Sequence, residues 1–302
     1  MPTLPKSLRP WLIRLVVYGT VAWIAISGTV TWRLVQRERP PRIERVPEGY
    51  ADLIKPLRLT ASDGVEVGAW LREGQPGRPA VVLVHGNGGS RTQMLNTQLL
   101  LGDQGLTTLA LTVRAHGDAG GERNDIGWGA QHDVLAAVQW LRAQRPERPV
   151  VVFGQSLGAA AAVFAATHPA SGIAGLWLEC PYRDLDTAVH ARLAVYLPAP
   201  LRPIAWAGLR LWALALLPDF PLISPRDRMV EVPAQLPVVV LAGAEDALAP
   251  PEHAAAVLGQ HPGRLVVFPT GGHLTLRAAD EPKWREAWTE FLAQVAGVAK
   301  AG

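Results

Sequence analysis

The chain has 302 residues, 49% of them hydrophobic and 18% charged, a balance that excludes a disordered charged polypeptide and leaves a packed protein of one large domain or two small ones. Its formal charge of +3 is small, and much of the basicity sits beside an apolar run near the N-terminus, which points to lipid headgroups and away from nucleic acid. A single cysteine, Cys180, excludes an intrachain disulfide framework and any multi-cysteine metal site.

Residues 15–32 carry no charge and, at ~1.5 Å per residue, reach ~27 Å, close to the hydrocarbon thickness of a bilayer. Lys6, Arg9 and Arg14 precede the run and Arg33, Arg37, Arg39, Arg42 and Arg45 follow it, while Trp11 and Trp32 fall near the two interfaces. Residues 1–36 therefore read as a single membrane anchor. A cleaved signal peptide is the main alternative, since Ala25, Ile26 and Ser27 offer small residues at the right spacing, although the apolar run continues past them. A buried core helix is the third reading. Basic residues flank both ends, so charge assigns no side of the membrane. Residues 37–50 read as a short exposed linker whose prolines, Pro40 and Pro41, resist helix; residues 51–302 form the soluble domain.

That domain opens with two β-prone runs, 57–62 and 65–71, around Asp63-Gly64, which predicts a two-residue hairpin turn. Short, nearly all-apolar runs follow at 80–84, 106–113, 149–153, 173–178, 236–241 and 264–268, each the length of a strand buried on both faces. Helix-like segments at 93–101, 129–144, 157–167, 251–258 and 281–296 separate them. The alternation predicts an α/β fold with a doubly wound, mostly parallel sheet. Residues 181–232 break the rhythm as a proline-rich insertion whose apolar centre, 204–217, is too short to span a bilayer. It reads as a lid or interfacial helix, or as a buried core helix. Trp206, Leu209, Trp212 and Leu216 fall at helical spacing there and are candidates for an apolar wall.

Chemistry concentrates where strands end. Gly154-Gln155-Ser156-Leu157-Gly158 stands between a predicted strand and a predicted helix, the context in which a sharp turn presents a serine hydroxyl. His85-Gly86-Asn87-Gly88-Gly89 leaves the 80–84 strand, and the backbone amides of Asn87 and Leu157 are the candidate donors to a developing oxyanion. A phosphate loop does not fit, because no Lys-Ser or Lys-Thr follows these glycines and Arg91 stands where a dinucleotide fingerprint needs its last glycine. A serine nucleophile needs a base and a group to orient that base. His273 follows two glycines after the last strand, and Asp246 lies in the loop after the 236–241 strand. The chain order Ser156, Asp246, His273 is the order expected of a nucleophile-elbow hydrolase. Glu245, Asp184 and Asp186 are the rivals to Asp246. No metal or cofactor motif accompanies the set.

On these motifs, with Arg-Ala-His-Gly-Asp at 114–118 and Gly-Ala-Glu-Asp at 243–246, the span from about 57 to 296 resembles the α/β-hydrolase fold serine hydrolases, most nearly the abhydrolase-domain branch with an N-terminal membrane anchor. The resemblance implies ester, thioester or sometimes amide hydrolysis through an acyl-enzyme, with a lid between the sixth and seventh strands, no cofactor, and a small-molecule or lipid-like acyl substrate. Val113 departs from relatives that carry aspartate there. An amidase or peptidase, a cofactor-free haloperoxidase, and a non-catalytic binding protein of the same fold remain as alternatives. Oligomeric state is not legible.

Overall fold

The computed structural model describes residues 9–37 and 42–301; Lys6, Arg39, Pro40 and Pro41 lie outside the described residues. The chain opens with helix α1 (Arg9–Val35) and the hairpin of β1 (Lys55–Thr60) and β2 (Glu66–Arg72). It then alternates through β3 (Ala80–Val84), α2 (Leu95–Asp103), β4 (Thr107–Thr112), α3 (Ala130–Gln144), β5 (Val150–Gln155), α4 (Leu157–Ala166) and β6 (Ile173–Glu179). Helices α5 (Leu185–Tyr196), α6 (Arg202–Leu216) and α7 (Pro225–Met229) intervene before β7 (Val238–Gly243), α8 (Pro251–Leu258), β8 (Arg264–Phe268), α9 (Leu276–Ala279) and α10 (Glu281–Ala301).

All eight predicted strands form one sheet in the order β1-β2-β4-β3-β5-β6-β7-β8, antiparallel at β1/β2 and β2/β4 and parallel elsewhere. Successive side chains of a strand point to opposite faces, and here both faces are dry. Val82, Val84 and Val152 join Val134 of α3, Ala161 of α4 and Val257 of α8 in one core. Val81, Leu83 and Phe153 join Leu101 of α2 and Trp284, Trp288 and Phe291 of α10 in the other. Each such side chain contributes ~1.5–3 kcal/mol by leaving water, which is why these strands read as continuous apolar runs. The order reverses at β3, flanked by β4 and β5, so the loops leaving β3 and β5 diverge around a crevice at their carboxyl ends. Register places Val84 opposite Gly154 there.

The entry hairpin differs from expectation. Ala61 and Val65 are the residues joined across the turn, and Ser62, Asp63 and Gly64 all lie within it, with Gly64 at φ +84°. A glycine in the left-handed region ending a three-residue loop is the next most common hairpin solution after the two-residue turn. The segment after α1 also differs at Glu44. Its side chain is buried, accepts from Thr112 Oγ1 at 2.6 Å and pairs with Arg91 at 2.9 Å, while Arg91 pairs with Asp118 at 2.6 Å and donates to the Glu44 carbonyl. Charge patterning alone gave Glu44 to solvent; a buried guanidinium claims it.

The insertion stands between β6 and β7, and α6 realises its apolar centre. Against it lies α1, the one helix among the described residues long and apolar enough to cross a membrane. A Cβ on Gly28 would come within 2.7 Å of the Trp212 ring, and one on Gly208 within 2.7 Å of Ser27 Cβ, so small residues on both helices set how closely they approach. Trp212 Nε1 donates to Ile24 O and Trp23 Nε1 to Ile204 O. The far face of α1 exposes Ile13, Val16, Tyr18 and Val21.

Candidate active site

Ser156 caps α4 with φ 50° and ψ −107°, a conformation that costs a non-glycine residue of order 1–3 kcal/mol and persists only where its surroundings impose it. The surroundings are backbone. A Cβ on Gly154 would strike the Gly158 carbonyl, and one on Gly158 would strike the carbonyls of Val84 and His85. The two glycines therefore let strand β5, helix α4 and the end of β3 meet without intervening side chains. The Ser156 amide donates to Glu179 O at 2.8 Å and its carbonyl accepts from Ala160. Among the described residues its hydroxyl has no hydrogen-bond partner.

Asp246 and His273 arrive from adjacent strands. Gly243 ends β7 opposite Phe268 of β8, and a Cβ on Gly243 would strike the Gly271 carbonyl, so the loops after these strands are pressed together. His273 Nδ1 lies 2.7 Å from Asp246 Oδ2, and Asp246 Oδ1 accepts from the amides of Leu248 at 2.9 Å and Ala249 at 2.8 Å. Burial opposes charge on Asp246, but the imidazole and the two amides outweigh it and hold the carboxyl below its ordinary range. His273 Nε2 has no hydrogen-bond partner among the described residues, and no bond joins it to Ser156.

The rivals are engaged elsewhere. Glu245 is exposed, Asp184 accepts from Thr187 N as the cap of α5, and Asp186 pairs with Arg210. Of the other histidines, His168 bonds Gln131, His261 meets Pro233 O, and His190 stacks on Trp206. The Cys180, Asp246 and His273 ligand atoms lie within 4.8 Å of one another, a grouping that invites a metal. The site fits one poorly: Asp246 Oδ2 and His273 Nδ1 are already spent on each other, and burial pushes the Cys180 thiol far up, so it stays protonated.

The turn at 85–89 is set by His85, which is fully buried. Val113 N donates to its Nε2 at 3.2 Å, so the proton sits on Nδ1, 2.7 Å from Gly86 O. Burial, with His116 nearby, lowers its pKa to about 3. Asn87 Oδ1 accepts from Asn124 Nδ2 at 2.7 Å. The amides of Asn87 and Leu157 donate to no acceptor among the described residues. The 114–118 motif is structural: Arg114 holds buried Asp133 and the hairpin's Asp63, and Asp118 holds Arg91.

Ser156, Leu157 and Asn87 line a cavity of about 100 Å³ whose remaining wall is almost wholly apolar. Sequence reasoning missed three of its features. Thr31, Leu34 and Val35 bring the end of α1 into the wall; nothing in their own sequence names the residues they meet. Arg192 is the one charged residue of the lining, donates to Ala188 O at 3.1 Å, and has its pKa lowered by burial. Tyr182 donates to Ile126 O. Of the four residues proposed as a lid wall, Leu209 alone lines this cavity; Trp206 stacks on His190, and Trp212 faces α1.

A mostly parallel eight-stranded sheet with helices on both faces and a strained serine turn after β5 defines an α/β-hydrolase, and the chain belongs to that family and is a hydrolase. Residues 75–218 match the family Hydrolase_4, described as serine aminopeptidase, S33. The uncharacterized protein MT2364 of Mycobacterium tuberculosis (strain CDC 1551 / Oshkosh) is 31% identical over 294 residues, covering 93% of this chain and 95% of its own. Human Protein ABHD12B is 26% identical over 210 residues, covering 65% of this chain and 55% of its own. Esterase Pf2001 of Pyrococcus furiosus shares the fold, with a TM-score of 0.66 at 22% identity, covering 85% of this chain and 99% of that structure.

Proposed function

We propose that the protein is a membrane-anchored serine hydrolase that cleaves an ester or thioester of a small or lipid-like acyl substrate. The observation that carries this reading is the 2.7 Å pairing of His273 with Asp246 at the same carboxyl edge of the sheet as Ser156, whose backbone is strained and whose hydroxyl has no partner among the described residues. His273 Nε2 takes the Ser156 proton as Oγ attacks the acyl carbonyl. Asp246 fixes the Nδ1–H tautomer and stabilises the imidazolium. The unspent amides of Asn87 and Leu157 donate to the oxyanion, typically the largest single catalytic contribution. The leaving group departs with the proton from His273, and water, activated by the same imidazole, hydrolyses the acyl-enzyme. Ser156 Oγ and His273 Nε2 close to hydrogen-bond distance when substrate excludes water, as catalytic contacts commonly tighten on binding.

The anchor assignment is supported by the use the fold makes of α1. Trp23 Nε1 donates to Ile204 O and Ser27 packs against Gly208, so cleavage after Ser27 would remove that half of the α1/α6 contact. Covalent labelling by a fluorophosphonate probe tests the chemistry: labelling of the wild type, lost in folded Ser156→Ala, is expected. A folded wild-type protein that stays unlabelled refutes it. A matched panel of p-nitrophenyl ester, thioester and anilide substrates separates esterase from amidase, and intact protein released from membranes by alkaline washing overturns the anchor.

A further inference from the structure

A second apolar space lies alongside the first. It is a groove of about 560 Å³ between α1 and the lid, walled by Gly19, Trp23 and Val30 on one side and by Leu197, Ile204 and Leu209 on the other. Leu209 lines both spaces, and Val30 of the groove is followed directly by Thr31 of the cavity, so the two abut. From Gly19 to Val30 the groove follows α1 for ~16 Å at ~1.5 Å per residue, running away from the sheet.

The groove offers a polar ligand nothing to bind. Its indole, Trp23 Nε1, donates to Ile204 O at 2.9 Å, and its hydroxyl, Ser27 Oγ, donates to Trp23 O at 2.7 Å. Water in so large an apolar space would lack the partners that hold buried water. The surface outside it is also apolar: Leu211 and Leu214 of α6 and Val21 of α1 stand exposed. One wall of the groove is the helix whose length matches a bilayer, so the medium that meets this face is hydrocarbon.

We propose that the groove between α1 and α6 holds the acyl chain of the substrate, which enters sideways from the bilayer and passes Leu209 to set its carbonyl beside Ser156. The anchor helix is thus part of the substrate site and sets chain-length preference. This rests on the serine hydrolase reading given above, and the test keeps the two apart.

Gly19 lines the groove, and a Cβ there meets nothing within 4 Å. A large side chain therefore fits without disturbing the α1/α6 packing and occupies the path of a long chain. The full-length protein in phosphatidylcholine vesicles is assayed with p-nitrophenyl butyrate and p-nitrophenyl palmitate, as wild type, Gly19→Trp and Ala22→Trp. Fluorophosphonate labelling reports the integrity of the serine site in each. The expected result is a fall of about tenfold or more in the palmitate-to-butyrate ratio of kcat/KM in both variants, with labelling retained. An unchanged or increased ratio in labelled protein overturns the groove assignment, as does an equal loss with both esters. Failure of the wild type to label would instead count against the serine hydrolase reading itself.

Discussion

His273 Nδ1 meets Asp246 Oδ2 at 2.7 Å, and the aspartate's other oxygen is held by two backbone amides. The carboxylate is thereby fixed in one orientation, and the imidazole with it. Asp246→Asn keeps the shape but presents an amide that favours the wrong tautomer. A fall in kcat of about 10³–10⁴, with KM little changed, is expected, measured on a soluble ester with the melting transition checked alongside. A loss of less than tenfold would remove Asp246 from the proposed triad.

His85 gives the protein a pH dependence of predictable sign. Its folded pKa is lowered to about 3, while the unfolded chain titrates near 6.5. Between those values the unfolded state binds the extra proton, so stability rises with pH across that window and is lost as pH falls through it. The full effect is about 4–5 kcal/mol for this buried ring. Urea unfolding at pH 7 and pH 4.5 should show the loss, and His85→Gln, though less stable at pH 7, should show a shallower slope. Equal slopes would mean another group governs acid sensitivity.

Arg91 is nearly buried with Glu44 and Asp118 as its partners. Burial raises the Glu44 pKa despite Thr112 and Arg91, so this carboxylate depends on its neighbours. Arg91→Met should cost about 3–5 kcal/mol by leaving the buried Glu44 carboxyl without its counter-charge. Restoring much of that loss in Arg91→Met with Glu44→Gln, in a double-mutant cycle, would identify charge as its source.

Glu179 is buried behind the serine turn, where Oε1 accepts from Trp177 at 3.1 Å and Trp284 at 2.6 Å, and Oε2 from Gln155 at 2.9 Å. Glu179→Leu orphans these donors and should destabilise by roughly 2–5 kcal/mol, while Glu179→Gln, which keeps an acceptor oxygen, should cost less. Chemical denaturation of both variants checks the order.

Strand positions are legible because burial on both faces writes itself as runs such as 80–84, and the loops that hold Ser156, Asp246 and His273, the proposed triad, are legible because glycines punctuate the strand ends before them. The Ser156 conformation had a signal too, in Gly154 and Gly158. What the residues did not disclose depends on surfaces distant in sequence. Nothing at Thr31 or Val35 says that an insertion helix some 170 residues on packs against the end of α1, and nothing at Glu44 names Arg91. The hairpin loop was misjudged by one residue because Asp-Gly suits both solutions, and cross-strand pairing between Ala61 and Val65 decides it.

The docking of the segment after α1 carries a mechanical consequence. Gln36 bridges Arg123, Arg37 N donates to Glu122 O, and Glu44 is clamped by Arg91, so the end of α1 is itself docked on the hydrolase domain. With α1 as the proposed anchor, the domain would keep one face to the bilayer, and turnover of a lipid-like substrate would follow its mole fraction within that plane, falling when inert lipid dilutes it there even as the total amount in the suspension stays constant.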